Sequence, residues 1–108
     1  MNEKPVTMIS AKDLSLAMAD GDIFLLDVRE DNEVANASIK GATHIAMNDI
    51  GDKLETLPKD KTIYVFCHHG TRSMMVCQYL QQQGFDCKNL EGGIHRYALE
   101  IDKTIPIY

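Results

Sequence analysis

Two stretches of this chain, Ile23-Phe24-Leu25-Leu26-Asp27-Val28 and Thr62-Ile63-Tyr64-Val65-Phe66, are almost uninterrupted in apolar and β-branched residues. A strand with one wet face alternates apolar and polar side chains. A continuous run of strand length reads instead as a strand buried on both faces, as in a parallel sheet covered by helices. The second run, with its β-branched and aromatic content, is the clearest strand of the sequence. Both runs fall far below the roughly 20 residues that span a bilayer, so no membrane segment and no membrane partner are expected.

The rest of the chain supplies the helices such a sheet requires. Ser10 precedes Leu14, Ala17 and Met18 at helical spacing, and Asp20-Gly21-Asp22 stops that helix. A short helix is predicted over Glu30 to Ala37, a turn at Lys40-Gly41, a weak strand at Thr43 to Ala46, and a short helical turn at Asn48 to Leu54. Ser73 to Gln83 is helical and ends at Gly84; Cys87 to Leu90 is a short strand, Gly92-Gly93 a turn, and Ile94 to Ile101 a last helix. Alternating strand and helix imply crossover connections and a central parallel sheet. At 108 residues, with neither repeat nor linker, the chain is expected to form one domain over residues 1–108.

In a sheet of this kind ligands bind at the carboxyl ends of the strands, and Cys67 follows the clearest strand directly. The segment Cys67-His68-His69-Gly70-Thr71-Arg72-Ser73 lies between that strand and the following helix. A tight loop there turns backbone N–H groups toward one point, and the helix adds the partial positive charge of its N-terminus. Whatever occupies the cradle should be negative. Gly70 supplies a conformation closed to other residues, so the loop can curl around the sulfur. For thiols in general, lowering the pKa by about two units yields more thiolate but a weaker nucleophile, a net gain of only about threefold. The larger role of the cradle is therefore to stabilise anionic sulfur and the charge that develops during its transfer.

With these residues in view, the chain resembles the rhodanese family, whose active-site loop runs from a cysteine at a strand end to a helix start. Leu26-Asp27-Val28-Arg29-Glu30, Glu33, Ile39 and Gly41-Ala42 follow the first half of the family pattern. Asn89-Leu90-Glu91-Gly92-Gly93-Ile94 follows the second half, so the resemblance covers residues 8 to 101. It implies an α/β three-layer fold with a central, mostly parallel five-stranded sheet flanked by helices. It also implies a sulfurtransferase in which Cys67 attacks a donor, holds sulfur as a persulfide and yields it to cyanide or a thiol. Residues His68, His69, Gly70, Thr71 and Arg72 would bind the donor, with Arg72 offering positive charge to an anion. Thiosulfate, a protein persulfide and a small persulfide would all be served by one exposed thiolate.

The chain departs from the family at some positions. His68 and His69 stand where an arginine or lysine often follows the cysteine, which makes thiosulfate a weaker donor. Ala37-Ser38-Ile39-Lys40-Gly41-Ala42 replaces Gly-His-Ile-Pro-Gly-Ala, and Tyr97 replaces a tryptophan. The stretch from Glu100 to Tyr108 is similar to the tail of rhodanese domains fused to adenylating enzymes that activate sulfur-carrier proteins, which implies a role in a sulfur relay.

Other readings are weighed on the same residues. Cysteine phosphatases and arsenate reductases use Cys-x5-Arg loops; here four residues separate Cys67 from Arg72, so the cradle is small for a tetrahedral phosphate. A persulfide carrier or a non-catalytic partner-binding module is a third possibility, although modules of that kind typically lose the cysteine. Cys67, His68 and His69 could bind metal, with His44 and His95 as further candidates, but neighbours on a tight loop are poorly placed to converge; no metal and no cofactor are expected. Cys77 and Cys87 are read as packing residues. Asp27, Arg29 and Glu30 form either a structural ion pair or a network that orients the site. With 16 acidic against 11 basic residues and a net charge of -5, nothing draws the chain to nucleic acid. Three scattered cysteines and a start lacking a secretory apolar region lead to the expectation of a cytoplasmic location.

Overall fold

The computed structural model describes residues 4–108. Five strands, β1 (Thr7–Ile9), β2 (Phe24–Asp27), β3 (Thr43–His44), β4 (Ile63–Phe66) and β5 (Cys87–Leu90), form one sheet in the order β1-β5-β4-β2-β3. Every pairing is parallel, more uniform than the mostly parallel arrangement expected. The helices are α1 (Ala11–Asp20), α2 (Asp31–Asn36), α3 (Thr71–Gln82) and α4 (Gly93–Glu100), and a 3-10 stretch covers Met47–Thr56. Among the described residues no helix is long and apolar enough to cross a membrane.

The pleat of the central strands explains their continuous apolar content. On one face, Leu25, Tyr64, Phe66 and Leu90 pack with Leu14 of α1 and with Ile94, Tyr97 and Ala98 of α4. On the other, Leu26, Val28, Ile63, Val65 and Cys87 pack with Val76, Cys77 and Leu80 of α3 and with Ile50 of the 3-10 stretch. Successive β4 residues thus serve opposite cores, which is why no polar residue interrupts Ile63 to Phe66. Cys67 continues the α3 side.

The elements read from sequence are present with shifted ends. Helix α3 starts at Thr71, two residues before Ser73, because Gly70 occupies its N-cap in the left-handed region at φ 113°. The 3-10 stretch is ten residues long, beyond the predicted short turn over Asn48 to Leu54. Strand β1 is not among the strands read from sequence: it is three residues long, and Thr7 and Met8 are exposed.

At the carboxyl end of β2 a buried ion pair fixes the backbone. Arg29, 0% exposed, donates from Nε to Asp27 Oδ1 (2.9 Å) and from Nη2 to Asp27 Oδ2 (2.6 Å). Nη2 also reaches the Ala37 carbonyl (2.7 Å), and Nη1 the Tyr108 hydroxyl (2.8 Å). These bonds tie the end of β2 to the end of α2 and to the C-terminal segment. Asp27 and Arg29 form the structural ion pair, and through the Tyr108 hydroxyl the pair also connects to Glu33. Glu30 instead caps α2, in a capping box with Glu33. Removing one partner of such a pair leaves an uncompensated buried charge, so Asp27→Ala is expected to cost about 3–5 kcal/mol of stability. Urea unfolding measures it; a loss below about 1 kcal/mol would mean that water or another group takes over the Arg29 guanidinium.

Candidate active site

The chain leaves β4 at Phe66 and enters α3 at Thr71, so only residues 67–70 reverse its path. Gly70, in the left-handed region, closes that reversal and aims its own N–H at Cys67 Sγ (3.1 Å). Ser73, on the first turn of α3, adds its N–H and its hydroxyl, each 3.4 Å from the same sulfur. The predicted cradle around Cys67 is therefore present, and Ser73 belongs to it although it was outside the expected binding set.

A second polar residue sets the direction of the Ser73 proton. Asn89 of β5, 0% exposed, donates from Nδ2 to the Gly70 carbonyl (3.1 Å) and turns Oδ1 toward the Ser73 hydroxyl, which donates to it. A hydroxyl has one proton, so while it goes to Asn89 the sulfur keeps only the two amide N–H donors. Negative charge on sulfur competes with Asn89 for that proton. An asparagine inside a short strand was the available sequence signal, since asparagine is depleted in strands.

The N-terminus of α4 holds the loop from outside. Ile94 N–H donates to the Cys67 carbonyl (2.9 Å) and His95 N–H to the His68 carbonyl (3.1 Å). This approach requires Gly93, where an added Cβ would lie 2.3 Å from the His68 carbonyl oxygen. Contrary to the expectation of an exposed thiolate, Cys67 is 1% exposed, because the loop, α3 and α4 enclose it.

Arg72 does not stand free for an anionic donor. Its Nη1 and Nη2 bond both Glu33 carboxylate oxygens (2.6 and 2.9 Å), and Tyr108 donates its hydroxyl to the same carboxylate (2.9 Å). The Arg72 guanidinium holds the Glu33 carboxyl down to about 2 against the opposing effect of burial, and Glu33 in turn raises Arg72. Thr71 starts α3 from an exposed position.

The histidines depart furthest from expectation. His68 is sandwiched between His69 (centroids 4.0 Å apart) and Tyr108 (3.8 Å, rings within 7° of parallel). His95 comes in from α4, and one ring nitrogen from each of His68, His69 and His95 lies within 4.8 Å of the others. The three converge after all, since α4 brings the third ligand onto the loop. Burial, then the neighbouring His69, lowers the His68 pKa and favours its neutral form. His68 Nε2 and His95 Nδ1 are buried with no hydrogen-bond partner among the described residues, an arrangement that costs about 1–3 kcal/mol for each group. His44 stands apart, its Nε2–H donating to the Arg29 carbonyl (2.6 Å). Cys77 and Cys87 are buried, and hydrogen bonding to Cys87, then burial, pushes the Cys77 thiol up.

The family model described as the rhodanese-like domain matches residues 10–100. The Bacillus subtilis (strain 168) protein YtwF, named as a candidate sulfurtransferase, is 54% identical over 76 residues, which is 70% of this chain and 74% of that one. A sulfurtransferase of Allochromatium vinosum is 37% identical over 95 residues, covering 86% of this chain and 89% of the relative. The crystal structure of a rhodanese-like domain protein from Staphylococcus aureus superposes with a TM-score of 0.84 at 32% identity, over 95% of this chain and 99% of that one.

Glu33 is depressed in the folded state, so its stabilising effect is complete above the ordinary carboxylate range and is lost as pH falls toward about 2. Thermal unfolding from pH 7 down to pH 2 is expected to show the wild type losing its advantage over Glu33→Gln across that acid window. Parallel curves for the two proteins would show that the Arg72 pair contributes nothing.

Proposed function

The chain belongs to the rhodanese-like domain family, and we propose that it is a sulfurtransferase that carries sulfur as a persulfide on Cys67. The observation that most supports this reading is the pair of amide donors, Gly70 N–H and Ser73 N–H, directed at one sulfur atom at the head of α3, with the Ser73 hydroxyl 3.4 Å away and able to turn its proton from Asn89 to an anionic sulfur. Fixed donors of this kind stabilise negative charge without reorganising, and both the thiolate and the persulfide are anions.

In the first half-reaction the Cys67 thiolate attacks the outer sulfur of the donor. A new S–S bond forms while the donor's own bond to that sulfur breaks, and the leaving group departs with the electron pair, as sulfite from thiosulfate or as a thiolate from a persulfide. In the second half an acceptor thiolate or cyanide attacks the outer sulfur, and the electron pair returns to Cys67. The cycle is redox-balanced between donor and acceptor and requires no cofactor. Four residues between Cys67 and Arg72 make a cradle suited to one sulfur anion better than to a phosphate ester.

The surroundings favour a persulfide over thiosulfate as donor. Thiosulfate brings two negative charges, whereas the Arg72 cation is already neutralised by Glu33 and His68 is biased toward its neutral form. A persulfide on a small thiol or on a protein brings less charge to be compensated. A reducing cytoplasmic setting, in which the three thiols stay free, fits this relay.

Steady-state sulfur transfer to cyanide tests the assignment. Cys67→Ser is expected to abolish turnover with thiosulfate and with a glutathione persulfide alike; retained turnover would exclude Cys67 as the sulfur carrier. Glu33→Gln releases the Arg72 charge and is expected to lower KM for thiosulfate severalfold while changing KM for the small persulfide less than about twofold. An unchanged thiosulfate KM would show that Arg72 neutralisation does not set donor choice.

A further inference from the structure

We infer that His68 and His69 of the cysteine loop and His95 of α4 form a binding site for a divalent transition-metal ion of the zinc class, distinct from the donors on Cys67 Sγ. One ring nitrogen from each residue lies within 4.8 Å of the other two. A zinc ion bound at about 2.0–2.1 Å holds tetrahedral nitrogen ligands about 3.4 Å apart, and because imidazole ligates in its ring plane, the exposed His69 ring turns out of its stack on His68 to complete the site. Three imidazoles with no carboxylate suit zinc, copper or nickel and offer nothing to calcium or magnesium.

Two further observations point to an absent ligand. His68 Nε2 and His95 Nδ1 are buried without a hydrogen-bond partner, and in the tautomer that places the lone pair on that nitrogen, a cation satisfies it. The His68 and His95 part of the scaffold is also fixed before any ion arrives. His95 N–H holds the His68 carbonyl (3.1 Å), and Gly93, with no Cβ, lets α4 approach this close. Tyr108 stacks on His68 and is itself anchored by Arg29 (2.8 Å) and Glu33 (2.9 Å), which sets the plane of the His68 ring. Three protein ligands leave a fourth position open to water or an exogenous anion.

The test uses untagged protein at neutral pH, titrated with Zn2+ against a chromophoric chelator and with Co2+ as a spectroscopic probe. One ion per chain is expected, and the Co2+ adduct should show d–d bands without a thiolate charge-transfer band. His69→Ala and His95→Ala should each weaken binding at least about tenfold, whereas His44→Ala and Cys67→Ser should leave it within about twofold. His69 is exposed, so its variant decides the matter even if His95→Ala fails to fold, which circular dichroism reports. No saturable binding, affinity unchanged in His69→Ala, or affinity lost in Cys67→Ser would each overturn the site.

Discussion

Cys67 leaves a strand buried on both faces, and within four residues the chain must begin α3 in nearly the reverse direction. That reversal depends on two backbone features. Gly70 enters the left-handed region at φ 113°, which brings its N–H onto the sulfur, and Gly93 packs α4 against the outer side of the loop, where a Cβ would meet the His68 carbonyl at 2.3 Å. The loop is thereby clamped between α3 inside and the first turn of α4 outside. Because its hydrogen bonds are made by backbone amides, the donors around the sulfur are in place before any substrate binds.

The sheet makes this clamp possible by collecting its parts at one edge. All strands run parallel, so the carboxyl ends of β2, β4 and β5 lie together and bring Arg29, Cys67 and the Gly92-Gly93 turn to the same side. From there one connected polar system runs through the Asp27–Arg29 pair, the Tyr108 hydroxyl, Glu33 and Arg72 to the first turn of α3. Its charges are matched inside the protein, which leaves a site that offers directed N–H groups in place of net positive charge. This balance is the physical basis for the proposed preference for a persulfide over a dianionic donor.

Much of this was legible in the sequence because it is local. The buried runs gave the central strands, the spacing from Cys67 to Arg72 gave the loop, and glycine positions gave the helix ends. What could not be read is what the topology brings together from a distance. Glu33 is 39 positions from Arg72, and nothing in the local pattern says that the arginine is paired. His95 meets His68 and His69 only because α4 docks on the loop, so neighbours that looked unable to converge acquire a third partner. Ser73 and Asn89 are modest polar residues whose importance arises from burial at 0% exposure, and exposure is not a property of spacing. The enclosure of Cys67 escaped prediction for the same reason.

Cys67 is proposed to carry the sulfur. Intact-mass measurement after incubation with thiosulfate or a small persulfide, before and after cyanide, tests it most directly. A gain of about 32 Da that cyanide removes, present in the wild type and absent from Cys67→Ser, is the predicted result. No gain with either donor, or a gain that persists in Cys67→Ser, would contradict it.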